Sequence, residues 1–311
     1  MGADGTIGTS ATSRQVTGRM NRKPLGETDV TLPEIGLGTF GYTGGIEPLR
    51  AGISLGACLI DTAEAYGTEE VVGQAIKGVR DRVFLSTKVS PIHFRRSDVL
   101  EAADRSLQRL RTDRIDLYQL HRPNYTVSIQ ETMAGMEELV DRGKVRFIGV
   151  SNFSVGQLKR AQAALSKYRI VSNQVRYSLV DRTIEPTLLH YCQRNRITVI
   201  AYSPLAQGLH RIKKRDPGNT LKNVAAVAGK TEAQMALNWC ISKDGVIAIA
   251  KANCIDHVHE NCAASGWRLS LGQAQRLEHG IAFRRRGYLE AGLRRLARHC
   301  LQRFAYRGAL L

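Results

Sequence analysis

From Met20 onward, short apolar runs alternate with longer stretches in which leucines, alanines and valines recur every three or four residues. The short runs end at "IGLG", "CLID", "VFLSTK", "DLYQLH", "FIGVSN", "VSNQV", "VIAYS" and "VIAIAK", and each reads as a buried strand. The longer stretches, such as "SDVLEAADRSLQRL" and "TEAQMALNWCISKDG", read as amphipathic helices, and the last of them is "CIDHVHENCAASG". Ahead of the first strand, "RKPLGETDVTLP" alternates about a glycine turn like a β-hairpin. Eight strand-then-helix units of about 30 residues predict an α/β fold, a closed parallel (β/α)8 TIM barrel rather than an open doubly wound sheet.

The pattern also sets boundaries. Residues 1–19 are rich in Gly, Ser and Thr with little to bury, and read as a disordered tail. Residues 20–282 form the barrel. Residues 283–311 form a basic extension in which Leu289, Leu293, Leu296, Cys300, Leu301 and Phe304 share one helical stripe. That stripe offers a face for packing on the barrel, for a partner or self-association, or for an anionic membrane surface. Of the net charge of +17, residues 281–311 supply +7 (eight arginines against Glu290) and residues 1–24 supply +3, which leaves +7 for the rest. So modest an excess on the body, with no aromatic stacking motif, argues against nucleic acid as a partner and suits an anionic cofactor. No apolar run reaches the roughly 18 residues of a membrane span. The start lacks a signal-peptide core, and the six cysteines show no C-x-x-C spacing. A soluble cytoplasmic protein with reduced thiols is expected.

One motif needs its context. "GLGTFG", residues 36–41, spells G-x-G-x-x-G, and Asp61 follows at the spacing of a dinucleotide fingerprint. In that fingerprint the helix begins within the glycines, so that its amides hold a pyrophosphate. Here helical spacing starts only near Glu47, so the glycines are read as the end and loop of a barrel's first strand.

Barrel active sites form at the C-terminal strand ends. Strand two ends in Asp61 with Tyr66 in its loop, strand three ends in Lys88 and strand four in His121. These four converge on one mouth, where they permit proton delivery. A nearby ammonium stabilises a phenolate and lowers the tyrosine pKa, Asp61 can pair with Lys88, and His121 can orient a carbonyl oxygen beside Tyr66.

The runs "DTAEAYG", "STK", "LYQLHRP", "IGVSNFS", "SNQVRYSL", "ITVIAYSPLAQG" and "AKANCIDHVHENCAA" follow the order and spacing of the aldo-keto reductases, which the chain resembles from about Met20 to Ala282. The resemblance implies NADPH-dependent reduction of an aldehyde, ketone or sugar, or the reverse oxidation of an alcohol, with NADH a weaker alternative. It makes Tyr66 the general acid or base and Asp61, Lys88 and His121 its partners. A binding barrel without useful turnover is the competing class, which an intact tetrad disfavours.

The resemblance also assigns cofactor contacts. Gly38 and Thr39 fall in the first strand's loop, and Asp61 serves the cofactor side as well as the tetrad. Ser151, Asn152 and Gln174 match the positions that hold the nicotinamide carboxamide, and Tyr202 matches the aromatic on which that ring stacks. Ser203 and Leu205 match pyrophosphate contacts, Glu260 and Asn261 adenine contacts, and Lys251 the lysine on the 2′-phosphate. Ala252 and His257 stand where the family commonly has a serine and an arginine, so the 2′-phosphate grip is thinner. Tyr66, His121, Phe40 and Arg122 line the substrate mouth, the last two replacing tryptophans frequent there. A small carbonyl compound is the expected partner, and its class does not carry over. No metal is expected, because His257 and His259 are two apart on a helix and face different ways.

Overall fold

The eight apolar runs form the staves of a closed barrel in the computed structural model, which describes residues 20–283. After a hairpin, β1 (Arg22–Pro24) and β2 (Thr31–Pro33), come β3 (Ile35–Gly38), β4 (Leu59–Asp61), β5 (Phe84–Val89), β6 (Ile115–Leu120), β7 (Val145–Ser151), β8 (Ile170–Arg176), β9 (Thr198–Tyr202) and β10 (Val246–Ala250). Each barrel strand pairs in parallel with the next, and β10 closes the ring on β3. The helices are α1 (Glu47–Ser54), α2 (Glu69–Ile76), α3 (Arg96–Leu110), α4 (Ile129–Asp141), α5 (Val155–Ala163), α6 (His190–Arg194), α7 (Leu209–Lys213), α8 (Thr220–Ala228), α9 (Glu232–Ile241), α10 (Ile255–Cys262) and α11 (Leu271–Gly280).

Local chemistry fixes several starts. Thr231 and Gln234 form a reciprocal capping box at α9, as Ser270 and Gln273 do at α11, each satisfying orphan amides of a first turn. Two connections are less regular than eight equal units predict. The chain after β8 runs through a bridge between Ser178 and Asp181 and a π-helical turn, Glu185–Leu189, before the short α6. The β9–β10 connection holds α7, α8 and α9, of which α9 packs on β10. The proposed tail 1–19, and all of the proposed extension 283–311 but Phe283, lie outside the described residues. Among the described residues no helix is long and apolar enough to cross a membrane.

Alternation along the strands sorts side chains between two cores. Ile60, Tyr118, Ile148, Val199 and Ala248 join the cluster between sheet and helices, whereas Leu59, Leu117, Ile200 and Ile247 join a second cluster inside the barrel. Leu25 and Leu32 of the hairpin segment belong to that inner cluster, so the hairpin plugs the N-terminal end. Small residues make room within: a Cβ at Gly36 would come within 2.9 Å of the Leu59 side chain, and one at Gly149 within 2.6 Å of Ser172 Oγ. Gly36 and Gly38 thus lie in β3 itself, and only Gly41 of the G-x-G-x-x-G run sits in the turn beyond, with φ +62°. No helix starts until Glu47, which removes the dinucleotide-fingerprint reading.

Candidate active site

The inward face changes from apolar at the plugged end to polar at the C-terminal end. Asp61, Ser86, Lys88, Gln119 and Gln174 occupy inward positions of β4, β5, β6 and β8, and all are buried. Asp61 organises them. Its Oδ2 accepts from Lys88 Nζ at 2.6 Å. Its Oδ1 accepts from Gln174 Nε2 at 2.7 Å, Ser86 Oγ at 3.0 Å and Gln119 Nε2 at 3.3 Å. A buried carboxylate is tolerable only when its lone pairs are met in this way. Lys88 also donates to the Thr62 carbonyl at 2.7 Å, so its position is set from two sides.

Tyr66 closes the 3-10 turn Glu64–Tyr66 that follows β4, with Gly67 at φ +68° turning the chain into α2. Its hydroxyl lies 3.3 Å from His121 Nε2. The Lys88 ammonium stands 4.8 Å from the centroid of the Tyr66 ring. The four residues singled out from the strand ends therefore come together. Their electrostatics differ in one respect from expectation. Burial, reinforced by the charges of Asp61 and Tyr202, pushes the Tyr66 phenol above its ordinary value instead of below it. The desolvation of the phenolate outweighs the ammonium, which faces the ring and spends its hydrogen bonds on Asp61 and Thr62. Burial, then Lys88, then Arg122 lower the His121 imidazole to about 3. Burial also pulls Lys88 below the usual lysine range, opposed by Asp61.

Most of the residues assigned to a cofactor lie along the arc from β7 to β10, with Gly38, Thr39 and Asp61 on or just beyond β3 and β4. Asn152 Nδ2 donates to Ser151 Oγ at 2.9 Å and to the His121 carbonyl at 3.2 Å, and its Oδ1 accepts from the Tyr202 hydroxyl at 3.0 Å. Asn152 and Ser203 hold left-handed backbone, φ +63° and +51°, at the ends of β7 and β9. Non-glycine residues in that region cluster at functional sites. Ser203 and Leu205 are half-buried just beyond β9. Lys251, exposed beyond β10, donates to the Gly41 carbonyl at 3.3 Å and so touches the first loop. Ala252 and Asn261 are buried, Glu260 is half-buried and His257 is exposed, all between the end of β10 and α10. Thr39 is less available than expected, since its buried hydroxyl donates to the Asp61 carbonyl at 3.1 Å and lies 2.9 Å from Thr68 Oγ1. Gly38, at the end of β3, is half-buried. Around the rim, the Phe40 ring is 65% exposed and meets Tyr66 edge-on at 5.1 Å, and Arg122 is exposed beside His121.

Three residues escaped the sequence reading. Ser86 and Gln119 hold Asp61, and Arg176 lays its guanidinium 5.6 Å from the Tyr202 ring centroid. The signal was present: each lies two positions from a residue singled out on its strand, Lys88, His121 and Gln174, and so shares its inward face.

The arrangement offers a proton donor, a hydrogen-bonding imidazole and a buried ion pair beneath them. Beside these lie side-chain amides, a hydroxyl, an aromatic face and a cation. Such a donor set suits a nicotinamide, with its carboxamide and ring face, joined to a phosphorylated adenosine. The profile of the Aldo/keto reductase family matches residues 34–280. Methylglyoxal reductase YeaE of Escherichia coli strain K12 is 41% identical over 262 residues, 80% of this chain and 91% of that protein. Aldo-keto reductase YhdN of Bacillus subtilis strain 168 is 34% identical over 302 residues, with 81% and 90% covered. The crystal structure of an aldo-keto reductase from Klebsiella pneumoniae in complex with NADPH superposes with a TM-score of 0.80 at 39% identity, covering 86% of this chain and 97% of that one. With its barrel, its inward polar ring and a match across most of its length, this chain belongs to the aldo-keto reductase family.

Proposed function

We propose that the chain is an NADPH-dependent carbonyl reductase that converts small aldehydes or ketones to alcohols, with Tyr66 as the proton donor. The observation that carries this reading is the Tyr66 hydroxyl 3.3 Å from His121 Nε2, above the buried Lys88–Asp61 pair. NADPH, when bound, supplies the hydride. Ser151, Asn152 and Gln174 would hold its carboxamide and Tyr202 its ring face. Ser203 and Leu205 would serve the pyrophosphate, and Glu260 and Asn261 the adenine. Lys251 would serve the 2′-phosphate, flanked by Ala252 and His257.

The chain's own groups then divide the work. A carbonyl oxygen between Tyr66 and His121 accepts hydrogen bonds from both, since an imidazole lowered to about 3 stays neutral and can present an N–H. The phenol, pushed up by burial, arrives fully protonated, and its proton passes to the oxygen as negative charge develops there. Lys88 stabilises the phenolate left behind, and Asp61 keeps Lys88 charged and in place. Phe40, edge-on to the Tyr66 ring at 5.1 Å, would give the substrate an apolar surface beside the phenol.

The E. coli relative is a methylglyoxal reductase, which makes a short 2-oxoaldehyde the first compound to try. Purified protein incubated with methylglyoxal and a panel of aldehydes, ketones and sugars should consume NADPH in proportion to alcohol formed. A chain that binds NADPH yet reduces none of them would overturn the reading in favour of a binding role.

A further inference from the structure

Resting on the reductase reading above, we infer that Arg122 selects carbonyl substrates that carry a carboxylate. The argument is an inventory of charge at the mouth. Asp61 is saturated by four donors, and Glu64 is taken up by the Ser90 amide and by His93 Nδ1 at 3.0 Å. Arg122 is exposed, and no carboxylate pairs with it among the described residues.

Its place decides what it can serve. Arg122 directly follows His121 at the end of β6, outside the arc from β7 to β10 that carries all the proposed cofactor residues but Gly38, Thr39 and Asp61. Lys251, and Arg176 over the Tyr202 ring, already supply cations to that arc. Arg122 is close enough for its charge to register on the imidazole that would orient the carbonyl. The loops after β3, β5 and β6 also expose apolar surface there: Phe40 is 65% exposed, Ile92 61% and Tyr125 38%. A guanidinium beside an apolar rim fits a short or aromatic aldehyde with an anionic end, because it binds a carboxylate through two parallel N–H donors. In the reaction the carbonyl carbon gains the hydride of NADPH and the oxygen gains the Tyr66 proton, which water restores. The carboxylate is untouched and serves only to orient.

The test compares kcat/KM for para-carboxybenzaldehyde and para-carbamoylbenzaldehyde, both with NADPH, in wild type, Arg122→Gln and Arg122→Lys. The ratio between the two substrates cancels effects common to both. The wild type should favour the carboxylate. Arg122→Gln should lower the ratio about tenfold, through KM for the acid, and Arg122→Lys should restore part of it. Raising the salt concentration should erode the wild-type ratio. The same ratio in wild type and Arg122→Gln removes the role of Arg122 and leaves the reductase standing. Turnover of neither aldehyde by a wild type that reduces methylglyoxal removes this assignment alone, whereas a wild type that reduces nothing in the wider panel removes the reductase reading and this assignment with it.

Discussion

The Lys88 ammonium stands over the face of the Tyr66 ring, 4.8 Å from its centroid, while its hydrogen bonds go to Asp61 Oδ2 and the Thr62 carbonyl. Lys88 is therefore first a structural counter-charge for a buried carboxylate and only secondly a neighbour of the phenol. Lys88→Met leaves Asp61 buried with three neutral donors and no cation, a change that typically costs about 3 to 5 kcal/mol. Asp61→Asn added to Lys88→Met removes the stranded charge and should recover much of that stability. Urea unfolding of both variants checks this. A double variant no more stable than Lys88→Met alone would mean that the pair is not coupled in the folded protein.

Tyr66→Phe separates chemistry from architecture. Among the described residues the hydroxyl hydrogen-bonds to His121 alone, so its loss leaves the Asp61 network intact. The variant should fold, bind NADPH as tightly as wild type and lose about 100-fold or more in kcat. Cofactor titration by fluorescence, beside steady-state rates, makes the distinction. Undiminished turnover would place the proton donor elsewhere.

Acidity adds a second handle, because the phenol is pushed up and the imidazole is lowered to about 3. Neither group changes protonation between about pH 5 and pH 8, so kcat for carbonyl reduction should be flat there. Alcohol oxidation, which needs the phenolate, should keep rising with pH through the alkaline range. Stability responds on the acid side. His121 has a folded pKa below its unfolded value near 6.5, so the unfolded chain takes up the extra proton as pH falls. The associated stability is complete above about 6.5 and drains away toward 3, with a slope of up to about 1.4 kcal/mol per pH unit. His121→Gln should flatten that slope in unfolding experiments between pH 6.5 and 4. A slope unchanged by the substitution would show that the imidazole titrates normally in the folded chain.

Much of this site was legible because barrels obey one arithmetic. Inward positions recur every second residue, and the last inward residue of a strand faces the mouth. Asp61, Lys88, His121, Ser151, Gln174 and Tyr202 were found by that route together with the family's spacing. What escaped depends on closure of the ring. Gln174 and Asp61 are 113 residues apart, and nothing local says that the amide of one will meet the carboxylate of the other. The sign of the Tyr66 shift was hidden for the same reason: a neighbouring ammonium can be inferred from strand ends, but the depth of burial that overrides it cannot. The irregular turn after β8 is held to α11 by Arg182, which donates to the Glu278 carbonyl at 3.1 Å, and α8 packs on α11, long-range contacts that no local pattern announces.

Cofactor choice turns on Lys251. NAD-preferring dehydrogenases usually direct a carboxylate at the ribose 2′-hydroxyl, which repels a phosphate. Here the residue beyond β10 is an exposed ammonium whose only described contact is the Gly41 carbonyl at 3.3 Å. A carbonyl does not neutralise it, so its charge remains for a phosphate, which could contribute about 1.5 to 3 kcal/mol through charge-assisted hydrogen bonds. Ala252 is buried and has no side-chain donor, and the neighbouring His257 is exposed. With so little support, the low end of that range is expected, a preference for NADPH over NADH of about tenfold. Lys251→Ala should remove most of it by weakening NADPH alone, because NADH has no group for the lysine to meet. Dissociation constants of both cofactors, in wild type and variant at two salt concentrations, settle the point. A screened contact should weaken with salt only where the lysine and the 2′-phosphate are both present. Equal weakening of NADH and NADPH by the substitution would instead tie Lys251 to the first loop, through Gly41, and leave the 2′-phosphate to other hands.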